Sequence, residues 1–130
     1  TFWGNVEDFS AWCELAYAWA QLFPCVIVAE ETSDVTSPGK APAEYGELMR
    51  KIMYYGGHLY GITQRPQESD KTIWGNATLK HCHGFITPSD CEYIARLYGC
   101  DPGLIAELKK YDFVEQVAGE KKITKGRTSL

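Results

Sequence analysis

Glu30 and Glu31 close a short apolar run, Val26-Ile27-Val28-Ala29, and Thr63-Gln64-Arg65-Pro66 closes a second run, Leu59-Tyr60-Gly61-Ile62. Acids at the carboxyl end of such a strand sit where open α/β sheets bind ligands and carry out chemistry. Hydrolysis of a nucleoside triphosphate needs a phosphate cradle with its metal, a positioned water, and positive charge on the transition state. Glu30 and Glu31 can position the water and hold the metal directly or through water. Neighbouring side chains of an extended strand point to opposite faces, so one acid serves the site, and Glu30 is the first choice over Glu31. Gln64 can hydrogen-bond a γ-phosphate or the attacking water, and Arg65 can reach a phosphate of its own subunit or of a neighbour's. Pro66 fixes the exit of the chain from that tip. Together these groups suggest a nucleotide-hydrolysing site. The plainer alternatives are two acids leaving a strand into a solvated loop, and a surface ion pair of Arg65 with Glu68 or Asp70. A metal-dependent nuclease or phosphatase using Glu30, Glu31 and Asp34 is a further option.

The phosphate cradle is missing from this chain. No G-x-x-x-x-G-K-[ST] pattern occurs. Gly39-Lys40 comes nearest, but Ala41 follows it, Asp34 stands where the first glycine belongs, and the segment lies after the acids. The chain alone should therefore bind ATP poorly. His81-Cys82-His83 invites a zinc reading, but strand alternation sends the histidines to one face and Cys82 to the other. The three cannot share one metal, and buried structural cysteine is the commoner role. Tryptophan and tyrosine follow helical spacing, which suits core and interface better than base stacking.

The elements that must hold these groups are legible from periodicity. Asn5 or Asp8 can cap a first helix running to about Leu22, with Phe9, Trp12, Cys13, Ala16, Trp19, Ala20 and Phe23 as its inner stripe. The β-branched run after Pro24 reads as a strand buried on both faces. Thr32 to Pro42 reads as a mobile loop. A helix over Ala43 to Tyr55 buries Tyr45, Leu48, Met49 and Ile52 and ends on Gly56-Gly57. His58 to Thr63 makes the second strand, Glu68 to Trp74 a short helix, and Lys80 to Ile86 a third strand. Thr87-Pro88-Ser89-Asp90 starts a helix whose inner face is Cys91, Ile94, Ala95 and Tyr98, ended by Gly99. Asp101-Pro102 opens another helix, and Phe113 to Val117 with Lys122 to Thr124 forms a hairpin around Gly119. This order predicts an α/β fold in three layers: a mostly parallel sheet flanked by helices, closing with a short β-hairpin.

With 130 residues, 45% of them hydrophobic, residues 1–130 read as a single domain with a real core, ending in a hairpin and basic tail over 112–130. Net charge is 13 − 17 = −4, so the chain as a whole is no electrostatic nucleic-acid binder. Six basic residues cluster from Lys109 onward and read as a solvated end in preference to a DNA-facing strip. Five cysteines, an odd number, suit a reducing compartment, and no apolar run reaches membrane-spanning length. The chain begins at Thr1 and passes straight into helical patterning, which reads as the carboxyl part of a longer protein.

Val26 to Glu31, Thr36 to Pro42 and Gly61 to Pro66 resemble the carboxyl half of a P-loop ATPase of the FtsK/HerA type. That superfamily includes phage packaging and virion-assembly ATPases and zonula occludens toxin-like proteins. The resemblance implies a partial P-loop NTPase fold in which the first strand and its acids stand as the Walker B element. Thr63, Gln64 and Arg65 would stand as the nucleotide sensor, and Thr87 to Ala95 is similar to the helix after the last sheet strand. It further implies ATP and Mg2+ as cofactors and DNA as the polymer moved. A homo-oligomeric ring follows by the same resemblance, with Arg65 near a subunit boundary, in the host cytoplasm or on a virion. Ala29 stands where the common form has Asp. Either Glu30 takes the metal and Glu31 the catalytic role, or Glu30 is catalytic and the metal is held outside this chain. The competing class is a non-catalytic α/β scaffold that binds a partner.

Overall fold

The computed structural model describes residues 6–36, 41–84 and 87–129, which fall into two compact units, 1–76 and 77–130. The proposed Asn5 cap, the Gly39-Lys40 dipeptide and the strand residues Phe85 and Ile86 lie outside the described residues.

The first unit runs α1 (Val6–Leu22), β1 (Val26–Ala29), α2 (Thr32–Val35), α3 (Ala43–Lys51), a 3-10 turn (Ile52–Tyr55), β2 (His58–Gly61) and α4 (Lys71–Asn76). Asp8 lies inside α1 and so does not cap it. The α1 stripe holds for Phe9, Cys13 and Ala20, which are buried, whereas Trp19 and Phe23 are exposed and pack on each other at 5.3 Å. At ~100° per residue Trp19 sits about 100° off the centre of that buried stripe, and Phe23 follows the last helical residue. One cluster joins Phe9, Cys13, Ala41 and Tyr45, and a second joins Ala20, Ile27, Leu48 and Ile52. Both are built where α1 and α3 cover the same side of the sheet.

β1 and β2 pair in parallel, Val26 with His58 through Ala29 with Gly61. Parallel neighbours require a long crossover, here supplied by α2, α3 and the 3-10 turn. The turn ends on Gly56 in the left-handed region, φ 73°. Burial along β1 alternates: Ile27 and Ala29 face the helices, while Val26 and Val28 are 64% and 50% exposed. The strand expected to be covered on both faces is covered on one, since among the described residues helices pack on one side of this two-stranded sheet. Gly61 lies directly against Ile73 of α4, and any side chain there would force Ile73 to move. A Cβ there would lie 2.0 Å from Ile73 Cδ1, so α4 closes over the bare backbone of β2.

The second unit runs β3 (Leu79–His83), α5 (Pro88–Tyr98), α6 (Pro102–Ala106), β4 (Asp112–Val117) and β5 (Thr124–Arg127). Its sheet is antiparallel, in the order β3-β4-β5. The third strand thus pairs with β4 and does not extend the parallel pair, as the plain strand–helix alternation had implied. The β4–β5 hairpin forms, with its second strand starting at Thr124. Cys82 and Val114 point inward with Cys91, Ile94, Ala95 and Tyr98 of α5, all buried. On that face the Lys80 ammonium and the Gln116 amide donate to the Leu97 and Tyr98 carbonyls at the end of α5. Thr87 donates to Asp90 at the start of α5, Pro88 fills the first turn, and Gly99 ends it at φ 67°. Asp101 caps α6 by accepting the Gly103 amide at 2.7 Å.

Two outcomes test this packing. Gly61→Ala should cost about 1–3 kcal/mol in denaturant unfolding, and Ile73→Val in the same chain should recover part of it by removing the clashing methyl. Burial pushes the thiols of Cys13 and Cys82 up to about 12, so they stay protonated. Alkylation of the native chain should modify half-buried Cys25 and Cys100 and spare Cys13, Cys82 and Cys91 until the protein is unfolded.

Candidate active site at the ends of two parallel strands

The parallel ladder does not stop at the last strand residues. The Ile62 amide donates to the Ala29 carbonyl at 2.8 Å, and the Thr32 amide donates to the Ile62 carbonyl at 3.1 Å. These bonds carry the pairing into the two tips and hold the start of α2 against the end of β2. Thr32 is 1% exposed, so the segment expected to be a mobile loop begins as a buried helical turn. The Thr36 hydroxyl donates to the Thr32 carbonyl at 2.5 Å and accepts the Asp70 amide at 3.3 Å. That tethers the segment after β1 to the segment after β2.

Between these anchors Glu31 adopts φ 48°, ψ 51°, the left-handed region that a residue with a Cβ rarely enters. Strand alternation ends with Ala29, so it does not govern which acid faces the neighbouring tip. The left-handed turn does. It brings the Glu31 carboxylate to Gln64, whose amide donates to Glu31 Oε1 at 2.6 Å. Glu30 is exposed and has no hydrogen-bond or ion-pair partner among the described residues. The acid that meets the amide is therefore Glu31, where Glu30 was the first choice.

The second tip is a wound segment. The Arg65 amide donates to Thr63 Oγ1 at 3.0 Å, and the Glu68 amide donates to the Arg65 carbonyl at 3.0 Å. Pro66 and Ser69 are buried, the Ser69 hydroxyl donating to the Pro66 carbonyl and accepting Trp74 Nε1. Of the two partners open to it, Arg65 takes Glu68, at 3.2 Å with both side chains more than half exposed. Such a surface pair contributes about 0–1 kcal/mol, so the guanidinium is free to exchange it for a better anion. Asp70 is 1% exposed, accepts the Thr72 hydroxyl through Oδ1, and keeps Oδ2 buried without a partner among the described residues. Sequence reasoning gave it no role beyond an ion pair; it forms part of the floor beneath the tips.

Four of the sequence-derived candidates, Glu31, Thr63, Gln64 and Arg65, thus fall on one structured edge. Among the described residues no three His, Cys, Asp or Glu side chains converge to hold a metal. The free carboxylate of Glu30 is still compatible with Mg2+, which usually takes one or two protein carboxylates and completes its shell with water and phosphate. A shallow concavity of about 470 Å³ lies elsewhere, between α1 and α3 around Cys13, Tyr17, Glu47 and Lys51. It shares no residue with the strand tips.

Solved structures share this fold. The genome packaging NTPase B204 from Sulfolobus turreted icosahedral virus 2, in its complex with AMPPCP, superposes with a TM-score of 0.82 over 97% of this chain and 63% of that one, at 16% identity. Its complex with ATP-gammaS gives 0.83 over 98% and 66%, again at 16% identity. Protein P9 of Pseudoalteromonas phage PM2 is 43% identical over 77 residues, 58% of this chain and 35% of P9. No family model matches the sequence. This chain has the fold of part of a P-loop NTPase. It spans less than two thirds of the length of each of these proteins.

The strain at residue 31 is open to test. A left-handed non-glycine residue costs of order 1–3 kcal/mol. Glu31→Gly should accordingly be more stable than Glu31→Ala by about 1 kcal/mol in chemical denaturation, since both lose the carboxylate and only glycine relieves the backbone. Equal stabilities would mean that the turn is not left-handed in solution.

Proposed function

We propose that this chain is the part of an ATP-hydrolysing motor subunit that carries the water-positioning acid and the nucleotide sensor, acting in genome packaging or DNA translocation. One observation carries the reading: Glu31 and Gln64, on adjacent parallel strand tips, are joined at 2.6 Å in a chain with the fold of a packaging NTPase. The neighbours described above were solved with ATP analogues, and P9 comes from a phage, which supports nucleotide and phage as the setting.

In this reading Glu31 orients and deprotonates the attacking water, and Gln64 holds that carboxylate until a γ-phosphate competes for its amide. Loss of the phosphate on hydrolysis returns Gln64 to Glu31, so the state of the nucleotide is felt at the end of β2. Mg2+, when bound, neutralises charge on the phosphates, and Glu30 is the residue that would hold it. Arg65 leaves Glu68 for a phosphate oxygen of its own subunit or of a neighbour's, and the Thr63 hydroxyl keeps the tip wound beneath it. The phosphate-binding loop, the DNA contacts and a homo-oligomeric ring belong to the intact protein, placed in the host cytoplasm or on the virion. No helix among the described residues is long and apolar enough to cross a membrane.

The test is steady-state ATP turnover by the intact protein, including its phosphate-binding loop. Glu31→Gln should lower kcat by about 10²–10⁴-fold with little change in KM, the range for loss of a general base. Gln64→Ala should lower kcat with the same small effect on KM. Glu30→Gln should raise the Mg2+ concentration needed for half-maximal rate. Unchanged turnover in all three variants would remove the catalytic assignment of these residues, and absence of turnover by the parent protein would leave the non-catalytic scaffold as the better account.

A further inference from the structure

The outer face of the second unit's sheet carries a paired-imidazole cluster that the motor reading does not use. β3 presents His81 and His83 on the face opposite Cys82, next to Glu115 and Phe113 of β4, their register partners. His81 Nδ1 lies 2.8 Å from Glu115 Oε1, and His83 Nδ1 lies 2.9 Å from the Asp112 carbonyl oxygen. A carboxylate and a carbonyl only accept, so each Nδ1 is the protonated nitrogen and donates. In the neutral rings both Nε2 atoms are then bare lone pairs. The structure holds them 3.2 Å apart, facing each other. Two bare nitrogens at that distance repel, and either a proton on one ring or a metal cation between them relieves the repulsion.

We propose that His81 and His83 form a binding site for a divalent transition-metal cation, Zn2+ in the first place, through their Nε2 atoms. Two imidazoles on one tetrahedral zinc, with Zn–N of about 2.0–2.1 Å, place their nitrogens about 3.3–3.4 Å apart. The pair is already at 3.2 Å. Metal-bound histidines almost always donate their other nitrogen to a carboxylate or carbonyl, and both rings do so here. Glu115 is therefore the orienting partner of His81. The Phe113 ring stacks on His81 at 4.7 Å and stands edge-on to His83 at 6.3 Å, which limits how the rings can turn. Phe113 can lie there because its register partner is Gly126, where a Cβ would come within 2.4 Å of the ring. Among the described residues no third His, Cys, Asp or Glu joins the pair, so the remaining positions go to water or an incoming ligand. The alternation argument against a shared His-Cys-His metal stands, since Cys82 is buried on the other face. It does not exclude a metal held by the two histidines alone.

The experiment is Zn2+ titration of the full chain by calorimetry at neutral pH, with exposed thiols blocked. One saturable Zn2+ per chain is expected. His81→Ala and His83→Ala should each weaken it at least 100-fold, Glu115→Gln by about 10–100-fold, and His58→Ala should leave it unchanged. Circular dichroism identical to the parent shows that each variant is folded. Nitrogen NMR of the imidazoles should show Nδ1–H in both rings before and after Zn2+, with both Nε2 resonances shifted by the metal. Absence of saturable uptake, uptake insensitive to both histidine substitutions, or rings protonated at Nε2 in the free chain would each overturn the site.

Discussion

The parallel pairing of β1 with β2, and its continuation past the last strand residues, is the constraint on which the rest of the first unit depends. Parallel strands end on the same side of a sheet, so the residues following Ala29 and Gly61 must meet. An antiparallel pair would carry them to opposite ends. The Ile62–Ala29 and Thr32–Ile62 backbone bonds then fix the register of the tips, and a one-residue slip would separate Glu31 from Gln64. α1 and α3 serve this pairing by covering one face of the strands, and α4 locks the end of β2 through Gly61 and Ile73.

Rigidity and reactivity are divided between layers at this edge. The Glu31–Gln64 and Arg65–Glu68 pairs are exposed and contribute little to stability. Their positions come from beneath, where Thr32, Thr36, Pro66, Ser69 and Asp70 are buried and mostly bonded to one another or to nearby backbone. Exposed pairs on a fixed floor can exchange partners without disturbing the fold. The left-handed Glu31 is the one strained element among them, and the floor holds it there.

The second unit uses its sheet differently. One face is its core against α5, with Lys80 and Gln116 capping that helix. The other gathers His81, His83, Glu115 and Phe113 around the bare backbone of Gly126. Period-2 alternation alone sorts these two sets of side chains, and the strong difference in their chemistry follows from that sorting.

Local chemistry placed most of the elements. Thr87-Pro88 and Asp101-Pro102 opened helices, Gly56 and Gly99 ended them in left-handed turns, and the inner face of α5 follows from spacing, because each rests on contacts within a few residues. The two strand tips were legible as polar clusters for the same reason, as polar groups released at the end of apolar runs. Which acid faces Gln64 was not, because the answer lies in a backbone turn at Glu31 that alternation rules do not reach. Nor was the partner of β3, since strand pairing is chosen between segments far apart in the chain, and a five-residue strand of mixed polarity, Leu79–His83, carries no local mark of which sheet it joins. The exposure of Val26 and Val28 belongs to the same class: composition marked them as strand residues, but only the arrangement of the helices decides which face of a strand is covered.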